Sequence, residues 1–194
     1  LPRKRPAVPA TPPFSLVNAA SLRAFNTIYY RRAPLQPRRH VVHYGQFFYP
    51  LDGIAEWNRL YGPSGFLQYQ CVVPPASAEA ATAEIVDRIA ASGQGSFLAV
   101  LKQFGDRYGP GMLSFPRPGT TLALDFPFFG PSTLTLLDSL DRVVMAAGGA
   151  VYPAKDARMS PEMFIASFPR LAEFREHLDP RFSSGFWRRV TGEA

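Results

Sequence analysis

Prolines and glycines divide this chain into short segments, and their positions limit the helices and strands that it can form. Such breaks occur at residues 74–75, 93 and 148–149, and residues 105–119 alone contain four glycines and three prolines. Because these residues end helices and interrupt strands, the core must be built from short elements packed together. No apolar run reaches the roughly 18 to 20 residues that a membrane-spanning helix needs.

The segments between the breaks show two patterns. Strands are predicted where β-branched and aromatic residues predominate, at residues 40–49, 66–73, 97–104 and 120–126. Helices are predicted where apolar residues recur three or four apart, at residues 15–30, 78–91 and 131–147, with one or two helical turns at 54–61. Ser21 is available as an N-cap in the first helix. The alternation of strands and helices favours an α+β fold, an antiparallel sheet backed by helices, with a helical C-terminal segment.

Three regions are predicted along the chain. Residues 1–13 hold five prolines and three basic residues, which is typical of a proline-rich linker leading into a domain. Residues 14–152 form the main domain, and residues 153–194 a C-terminal segment. Because the sequence begins at Leu1 and shows no leader pattern, we expect further chain to precede it in the native protein.

The net charge of +6 favours an anionic partner. The basic residues fall into separate groups, at 3–5, 31–32, 38–39 and 188–189, and no zinc-finger, RNP or basic-helix signature accompanies them. Nucleic-acid binding is therefore disfavoured. A polyanionic lipid or a phosphosugar is the better match, and scattered solvated arginines are the simplest alternative. Peripheral contact with a membrane stays open.

Several classes of site have no support in the sequence. Gly-x-Ser-x-Gly, P-loop and Gly-x-Gly-x-x-Gly motifs are absent. His40 and His43 are three apart, which on a strand places them on opposite faces, so no metal site is expected. The lone Cys71 is interpreted as a core residue, which fits a reducing, cytoplasmic compartment.

Strand alternation predicts a polar sheet face. Gln68 and Gln70 share one face of their strand. In the strand predicted at 97–104, Lys102 lies near the end of the strand, on the same face as Val100. Thr121, Ala123 and Asp125 alternate with apolar residues in the fourth strand. Such a face can carry a polyhydroxylated ligand such as a sugar, or it can simply face water. Lys102 can likewise point into a cleft or be a strand-end lysine in water.

Four sequence runs resemble one family. They are FYPLDGIAEWNRLYGPSGFLQYQ at 48–70, SFLAVLKQFG at 96–105, LSFPRPG with LDFP at 113–127, and GGAVYPAKDARMS at 148–160. In this order they resemble FAD-linked oxidases of the vanillyl-alcohol-oxidase type, in particular the decaprenylphosphoryl-ribose oxidases and the D-arabinono-1,4-lactone oxidases. The resemblance covers residues 40–182.

The resemblance implies a substrate domain and a C-terminal segment of a FAD-dependent oxidoreductase that oxidises a CH–OH group of a sugar, a polyprenyl-phosphosugar or a related substrate. In such enzymes an N-terminal domain binds most of the FAD, and the C-terminal segment returns to it. That domain of the same native protein is the implied partner of residues 153–194, and this piece alone is expected to be inactive. The alternative is a non-catalytic module that binds sugars or lipid phosphates.

The resemblance also implies roles for individual residues. Gln70 and Lys102 are placed at the substrate pocket, with Arg59 and Gln68 close by. Lys155 is placed beside the flavin and the substrate, as the catalytic and cofactor-binding residue.

This chain departs from the better-known members at several pocket positions. Thr120, Thr121 and Ala123 stand where they have an aromatic residue, an asparagine and a cysteine, and Phe48 stands where the mycobacterial members have a tyrosine. The resemblance therefore implies Thr121 and Ala123 as substrate-binding residues, and both differ from the residues of the better-known members. We expect a different hydroxylated substrate, including one that is not linked to a lipid.

Overall fold

A computed structural model describes residues 5–32, 34, 39, 41–49 and 53–192. His40, used in the argument against a metal site and at the start of a predicted strand, lies outside these residues. Within the described part, no three histidine, cysteine or acidic side chains come together as metal ligands would. No helix in these ranges is long and apolar enough to span a bilayer.

Four strands form the sheet in the described part of the chain. They are β1 (Phe66–Val73), β2 (Ala99–Phe104), β3 (Gly119–Pro127) and the short β4 (Ala150–Val151). Their order across the sheet is β2, β3, β1, β4, and each neighbouring pair is antiparallel. The predicted α+β fold with an antiparallel sheet is confirmed.

The helices in the described part of the chain precede, connect and follow these strands. They are α1 (Ala19–Arg31), α2 (Tyr44–Phe48), α3 (Ala78–Ser92), α4 (Pro131–Ala146), α5 (Pro161–Ser167), α6 (Leu171–Arg175) and α7 (Gly185–Thr191). Short 3-10 helices occupy Trp57–Tyr61, Pro75–Ser77 and Pro153–Lys155. The helices predicted at 78–91 and 131–147 are confirmed, and Gly93 ends the first of them in the left-handed conformation with φ 68°.

The main core lies between one face of the sheet and the helices α3 and α4. Tyr69, Cys71 and Leu124 project from the sheet into this core and are almost fully buried. Ile85 of α3 and Leu140 of α4 pack against them, at the spacing expected of amphipathic helices. Cys71 is a core residue, as predicted, and burial raises the pKa of its thiol to about 12.

The connection from α4 to β4 explains the glycine pair at 148–149. Gly148 has φ +70°, which favours glycine. A Cβ added to Gly149 would lie 2.5 Å from the carbonyl oxygen of Val72. Only a residue without a side chain lets the chain return this closely to β1, and β4 then pairs with β1 at Cys71 and Val72.

Both ends of the chain pack on this domain. Phe164 of α5 and Val190 of α7 belong to the main core, and the backbone N–H of Val151 donates to the Ser167 hydroxyl at 3.3 Å. Near the start, Ala7 forms a bridge with Ala55. These residues of the proline-rich segment are therefore attached to the domain rather than free of it.

The strand predicted at 40–49 is wrong. Tyr44–Phe48 form the short helix α2, and the His43 imidazole caps it by accepting from the Gly45 N–H at 3.2 Å. The aromatic side chains of Phe47, Phe48 and Tyr49 are exposed. A strand needs a paired neighbour, and this segment pairs with none of the described strands.

The first helix begins later than its apolar pattern suggests. Asn18 is the N-cap, and its side-chain oxygen accepts from the N–H groups of Ala20 and Ser21. Ser21 is therefore the third helical residue and not the cap. Its hydroxyl accepts from the Asn18 N–H at 3.0 Å, which completes a capping box.

Candidate functional site

Strand register brings most of the predicted site residues to one face of the sheet. Gln70 lies opposite Ala123, and Lys102 lies opposite Thr121. Because alternate residues share a face, one surface contains the following residues, which we call the polar face: Gln68, Gln70, Val100, Lys102, Thr121, Ala123 and Asp125. The helices α3 and α4 cover the opposite face. The alternation read from the sequence predicted this grouping.

The sequence-based hypothesis was that Gln70 and Lys102 project from neighbouring strands into one cleft. They share this face, but their strands are not neighbours. β3 runs between β1 and β2 and pairs with both of them. Lys102 is exposed on β2, near the edge of the sheet. The Gln70 amide instead donates to the Thr121 hydroxyl at 3.2 Å, and Thr121 is buried. Gln70 therefore has a fixed orientation, whereas Lys102 is free to move in solvent.

Two aromatic clusters bound the polar face at its two ends. At one end Tyr61 stacks on Phe66 with ring centroids 4.5 Å apart. At the other end Phe115, from the loop between β2 and β3, stacks on Tyr152 at 4.6 Å. Phe66 and Val72 lie on the same face as Gln68, so the polar side chains form a floor between the two clusters. A polar floor between aromatic walls suits a ligand that has both hydroxyl groups and apolar ring faces.

Lys155 lies where the chain leaves the sheet. The Tyr152 N–H donates to the Gln70 carbonyl at 2.8 Å, and the 3-10 turn Pro153–Lys155 follows. A small cleft at the β1 edge is lined in part by Gln68, Gln70, Tyr152 and Lys155. The Lys155 side chain is exposed. The predicted cofactor residue thus shares a cleft with two of the predicted substrate residues.

Asp156 fixes the turn that carries Lys155. Its Oδ1 accepts from the backbone N–H groups of Arg158 and Met159. Its carboxylate also pairs with the Arg189 guanidinium from α7. Asp156 is therefore bound to Arg158, Met159 and Arg189 rather than to Lys155. These contacts attach the turn to the C-terminal helix α7.

A buried ion pair anchors the same segment to α4. The Arg158 guanidinium donates to Asp141 at 2.9 Å and to Asp138 at 2.6 Å. Asp141 and Arg158 are almost fully enclosed, whereas Asp138 is half exposed. Burial raises the pKa of Asp141, and the nearby Arg158 cation lowers it only in part. This pair therefore fixes the position of residues 155–159 over the β1 edge.

Asp125 is the polar-face residue whose burial the sequence analysis did not predict. It is 2% exposed and lies opposite Gln68 in the sheet register. Burial raises the pKa of its carboxyl, while hydrogen bonding by Gln68 and the Lys155 charge lower it in part. The alternation of β3 placed Asp125 on this face, but its burial depends on the folded surroundings, which no local pattern shows.

Two residues implied by the resemblance lie away from the polar face. Arg59 is in the 3-10 helix Trp57–Tyr61, and its guanidinium donates to the carbonyls of Val8 and Pro9 at 2.9 and 3.1 Å. Phe48 is on α2 and is 67% exposed. In this structure Arg59 holds the leading segment, and no described contact joins Arg59 or Phe48 to the polar face.

The residues that the structure brings together suit a sugar better than a metal or a nucleic acid. The polar face offers an amide with a fixed orientation and a buried carboxylate, and the exposed Lys155 shares a cleft with Gln68 and Gln70. Amide and carboxylate groups bind hydroxyls, and the ammonium of Lys155 can meet developing negative charge on a cofactor or substrate.

Comparison with known proteins gives an independent result. The chain is 41% identical over 186 residues to decaprenylphosphoryl-beta-D-ribose oxidase of Mycolicibacterium smegmatis, a match that covers 92% of this chain and 39% of that protein. It is 34% identical over 199 residues to a protein described only as an uncharacterized protein in the mprA 5′ region of Streptomyces coelicolor, covering 96% of this chain and 54% of that protein. No protein-family model matches the chain.

This identity confirms the resemblance to the decaprenylphosphoryl-ribose oxidases. At 41% over nearly the whole chain, the matched region shares its ancestry with part of an oxidase. The chain spans about two fifths of one relative's length and about half of the other's. It is thus homologous to part of an oxidoreductase.

Proposed function

We propose that this chain, a homologue of part of decaprenylphosphoryl-beta-D-ribose oxidase, is the substrate-binding portion of a FAD-dependent oxidoreductase. The reaction is oxidation of a CH–OH group in a sugar or a sugar-derived substrate. The observation that carries the proposal is the polar face itself, on which Gln68, Gln70 and Asp125 lie beside Lys155. A surface of this composition is suited to holding several hydroxyl groups at fixed positions.

The protein's own contribution to the reaction is orientation and charge. Gln70 is fixed by its bond to Thr121, so it holds a substrate hydroxyl with little loss of side-chain entropy. Lys155 lies in the anchored turn 153–159, shares a cleft with Gln68 and Gln70, and supplies a positive charge. A bound flavin would accept the hydride from the substrate carbon. The aromatic clusters at both ends reduce access of water to the floor.

The substrate at this face need not be that of the relative. Thr121 is buried and occupied by Gln70, and Ala123 has no polar group to offer. The floor therefore presents fewer side-chain groups to the ligand than an asparagine and a cysteine would at these positions. We propose a hydroxylated substrate that resembles a phosphoribosyl or an aldonolactone compound, with a lipid chain not required for binding.

The FAD itself is proposed to bind mainly to another domain of the same native protein. The relatives are longer than this chain, which leaves room for such a domain. The described part of residues 153–194 packs on the core through Phe164 and Val190. Its exposed residues, among them Lys155, are available for contact with that domain.

The test is flavin reduction in the native full-length protein. Purified enzyme would be mixed without oxygen with D-arabinono-1,4-lactone, with D-ribose 5-phosphate or with a short-chain prenylphosphoryl ribose, and the flavin absorbance followed. We expect at least one compound to bleach the flavin. Gln70→Ala should slow the bleaching about tenfold or more, as expected for the loss of an orienting hydrogen bond.

Gln103→Ala is the matched control, because Gln103 is exposed on β2 and projects to the opposite face. It should leave flavin reduction unchanged. A protein that binds these compounds but shows no flavin reduction with any of them contradicts the enzyme proposal. That result would favour the alternative, a non-catalytic sugar-binding or lipid-phosphate-binding module.

We also propose that the α1 region makes peripheral contact with an anionic membrane. Residues 1–51 contain eight lysines and arginines and no acidic residue, whereas residues 52–194 contain thirteen basic and fifteen acidic residues. On α1 the side chains of Ile28, Tyr29 and Tyr30 are exposed beside Arg31 and Arg32. Exposed aromatic and aliphatic groups next to arginines are typical of segments that lie at the surface of an anionic bilayer.

A further inference from the structure

One arginine ties the loop between β2 and β3 to the end of α5. The Nη2 of Arg117 donates to the carbonyl oxygens of Ser114 at 3.2 Å and of Ser167 at 2.8 Å. Its Nε donates to the carbonyl oxygen of Phe115 at 3.3 Å, and its guanidinium carbon lies 5.9 Å from the centre of the Phe168 ring. Because a planar guanidinium donates in several fixed directions at once, this side chain holds the loop and α5 in one relative position.

These hydrogen bonds fix the backbone that carries Phe115, in the aromatic cluster at one end of the polar face. Phe115 is 4% exposed. Its ring stacks on Tyr152, with centroids 4.6 Å apart and planes 27° apart, and meets Phe104 edge-on at 6.1 Å. A ring packed in this way shifts only when its neighbours shift. The position of Arg117 therefore helps to set the position of the Tyr152 ring.

Tyr152 connects this cluster to the cleft at the β1 edge, which it lines together with Gln70 and Lys155. Its N–H donates to the Gln70 carbonyl at 2.8 Å, and its carbonyl oxygen accepts from the Lys155 N–H at 3.1 Å. Arg117 itself is not among the described residues that line the cleft. A displacement of Tyr152 would therefore move Lys155 relative to Gln70, although Arg117 lies outside the cleft.

A second connection joins Arg117 to the strand that leads into Tyr152. The Ser167 carbonyl oxygen accepts from Arg117, and the Ser167 hydroxyl accepts from the Val151 N–H at 3.3 Å. Val151 directly precedes Tyr152 and is 5% exposed. Arg117 is thus linked to Tyr152 through Phe115 on one side and through Ser167 and Val151 on the other. Both links oppose a change in the path of the turn that carries the catalytic candidate.

We propose that Arg117 is a positioning residue for the reaction at the polar face, because its contacts keep Tyr152 and Lys155 in one arrangement around Gln70. This rests on the proposed function, in which Gln70 orients the substrate and Lys155 supplies a charge. A displacement of about 1 Å in such a site costs on the order of a hundredfold in rate, even when the altered residue lies far from the reacting atoms. Groups that bind a substrate keep their productive geometry only when the residues behind them are held as well.

The first test measures flavin reduction without oxygen in the native full-length enzyme, over a range of concentrations of the compound that bleaches the wild type. Arg117→Met keeps a side chain of similar length over Phe168 but removes all the donors. We expect the limiting rate at saturating substrate to fall about tenfold or more. Arg117→Lys keeps the charge but not the planar fork, so it should recover part of the rate. If Arg117→Met does not fold, Arg117→Lys is compared with the wild type instead, and a wild-type rate in it would overturn the proposal.

Arg88→Met is the matched control, because Arg88 is also an arginine that joins two elements through a backbone carbonyl. Its Nη1 donates to the Ser139 carbonyl at 3.0 Å and so connects α3 to α4, which cover the face of the sheet opposite the polar face. Arg88→Met should lower Tm and leave the limiting rate unchanged. If Arg117→Met behaves in the same way, with a lower Tm and a wild-type rate, Arg117 is only structural and the proposal is overturned.

The second test needs no substrate. Hydrogen exchange followed by mass spectrometry would report on the N–H groups of Tyr152 and Lys155 in peptides that cover residues 150–156. We expect faster exchange there in Arg117→Met than in the wild type, whereas Arg88→Met should change the peptides of α3 and α4 instead. Unchanged exchange at 150–156 overturns the role of Arg117 and leaves the proposed function standing. A wild type that reduces its flavin with none of the compounds overturns the proposed function and this role with it.

Discussion

Lys155 owes its position to its neighbours rather than to its own contacts. The turn Pro153–Lys155 is held by Asp156 and Arg158, while the Lys155 side chain itself stays exposed. In the proposed enzyme its ammonium would act on a cofactor or substrate and contribute little to the stability of the fold. Exposed lysines in such positions have small effects on stability, whereas a charge aimed at the reacting groups acts on the transition state.

In the native enzyme, Lys155→Ala should slow flavin reduction by about a hundredfold or more and change the free energy of unfolding by less than about 0.5 kcal/mol. Anaerobic stopped-flow absorbance measures the first quantity and chemical denaturation the second. Arg142→Ala is the matched control, because Arg142 is an exposed cation on α4 and α4 packs on the other face of the sheet. Reduction at the wild-type rate in Lys155→Ala would remove Lys155 from the mechanism.

Arg158, in contrast to Lys155, is expected to contribute mainly to the stability of the fold. Arg158→Ala would leave Asp141 buried without its cation, which should destabilise the fold by about 3 to 5 kcal/mol. Asp138→Asn removes only the half-exposed partner of the same guanidinium and should cost less than about 1 kcal/mol. Urea denaturation of the two variants decides the matter. Equal losses of stability in the two variants would show that the buried Arg158–Asp141 pair contributes no more than the half-exposed Arg158–Asp138 pair.

At the scale of elements, strand alternation was the most informative signal in the sequence. It predicted β1 as residues 66–73, as the structure has it, and it placed Gln68 and Gln70 on one face and Cys71 on the other. Periodicity likewise predicted α3 and α4 to within a residue at each end. These elements are locally determined, because their patterns and their terminating glycines and prolines point to the same structure.

Other features depended on contacts that the local sequence does not show. The order of the strands places β3 between β1 and β2, which no pattern within a strand encodes. Residues 44–48 have the composition of a strand but form α2, because no described strand pairs with them. The burial of Asp125 depends on its place in the folded sheet, where it lies opposite Gln68 of β1. The sheet face was therefore predictable, and its buried carboxylate was not.

The helix α1 is the element on which the membrane proposal depends. The wild type should bind vesicles that contain phosphatidylserine and should not bind purely zwitterionic vesicles. A triple variant with Arg23, Arg31 and Arg32 each changed to Glu should lose this binding. Vesicle co-sedimentation at low and physiological salt measures this. Salt should weaken binding by screening the charges.

The control for α1 is a second triple variant with Arg107, Arg142 and Arg188 each changed to Glu, which alters the net charge equally but lies among residues 52–194. It should retain most of the binding. If both triple variants lose binding alike, the effect is one of overall charge and α1 has no particular role. If the wild type ignores anionic vesicles, the exposed face of α1 is better explained by contact with another part of the native protein.

At the scale of the whole molecule, the chain has a core of its own but only part of its relatives' length. The sheet, α3, α4 and the C-terminal helices share one buried cluster that includes Leu124, Leu140 and Val190. A continuous core of this kind is what allows a domain to fold independently. The polar face lies outside that core and carries charged groups with few partners, as expected of a surface that functions against a cofactor-binding domain.

Folding and cofactor binding should be separable in this protein. The chain expressed alone should fold, with circular dichroism showing mixed helix and strand, and yet be colourless after purification. The reason is that one exposed cation, Lys155, offers a flavin too little, since tight dinucleotide binding also requires backbone N–H groups around the pyrophosphate. Joined to the flavin-binding domain of the native protein, it should give a yellow complex. If the chain alone retained stoichiometric flavin, a complete flavin site would have to lie within these 194 residues, and the division of labour proposed for the two domains would be wrong.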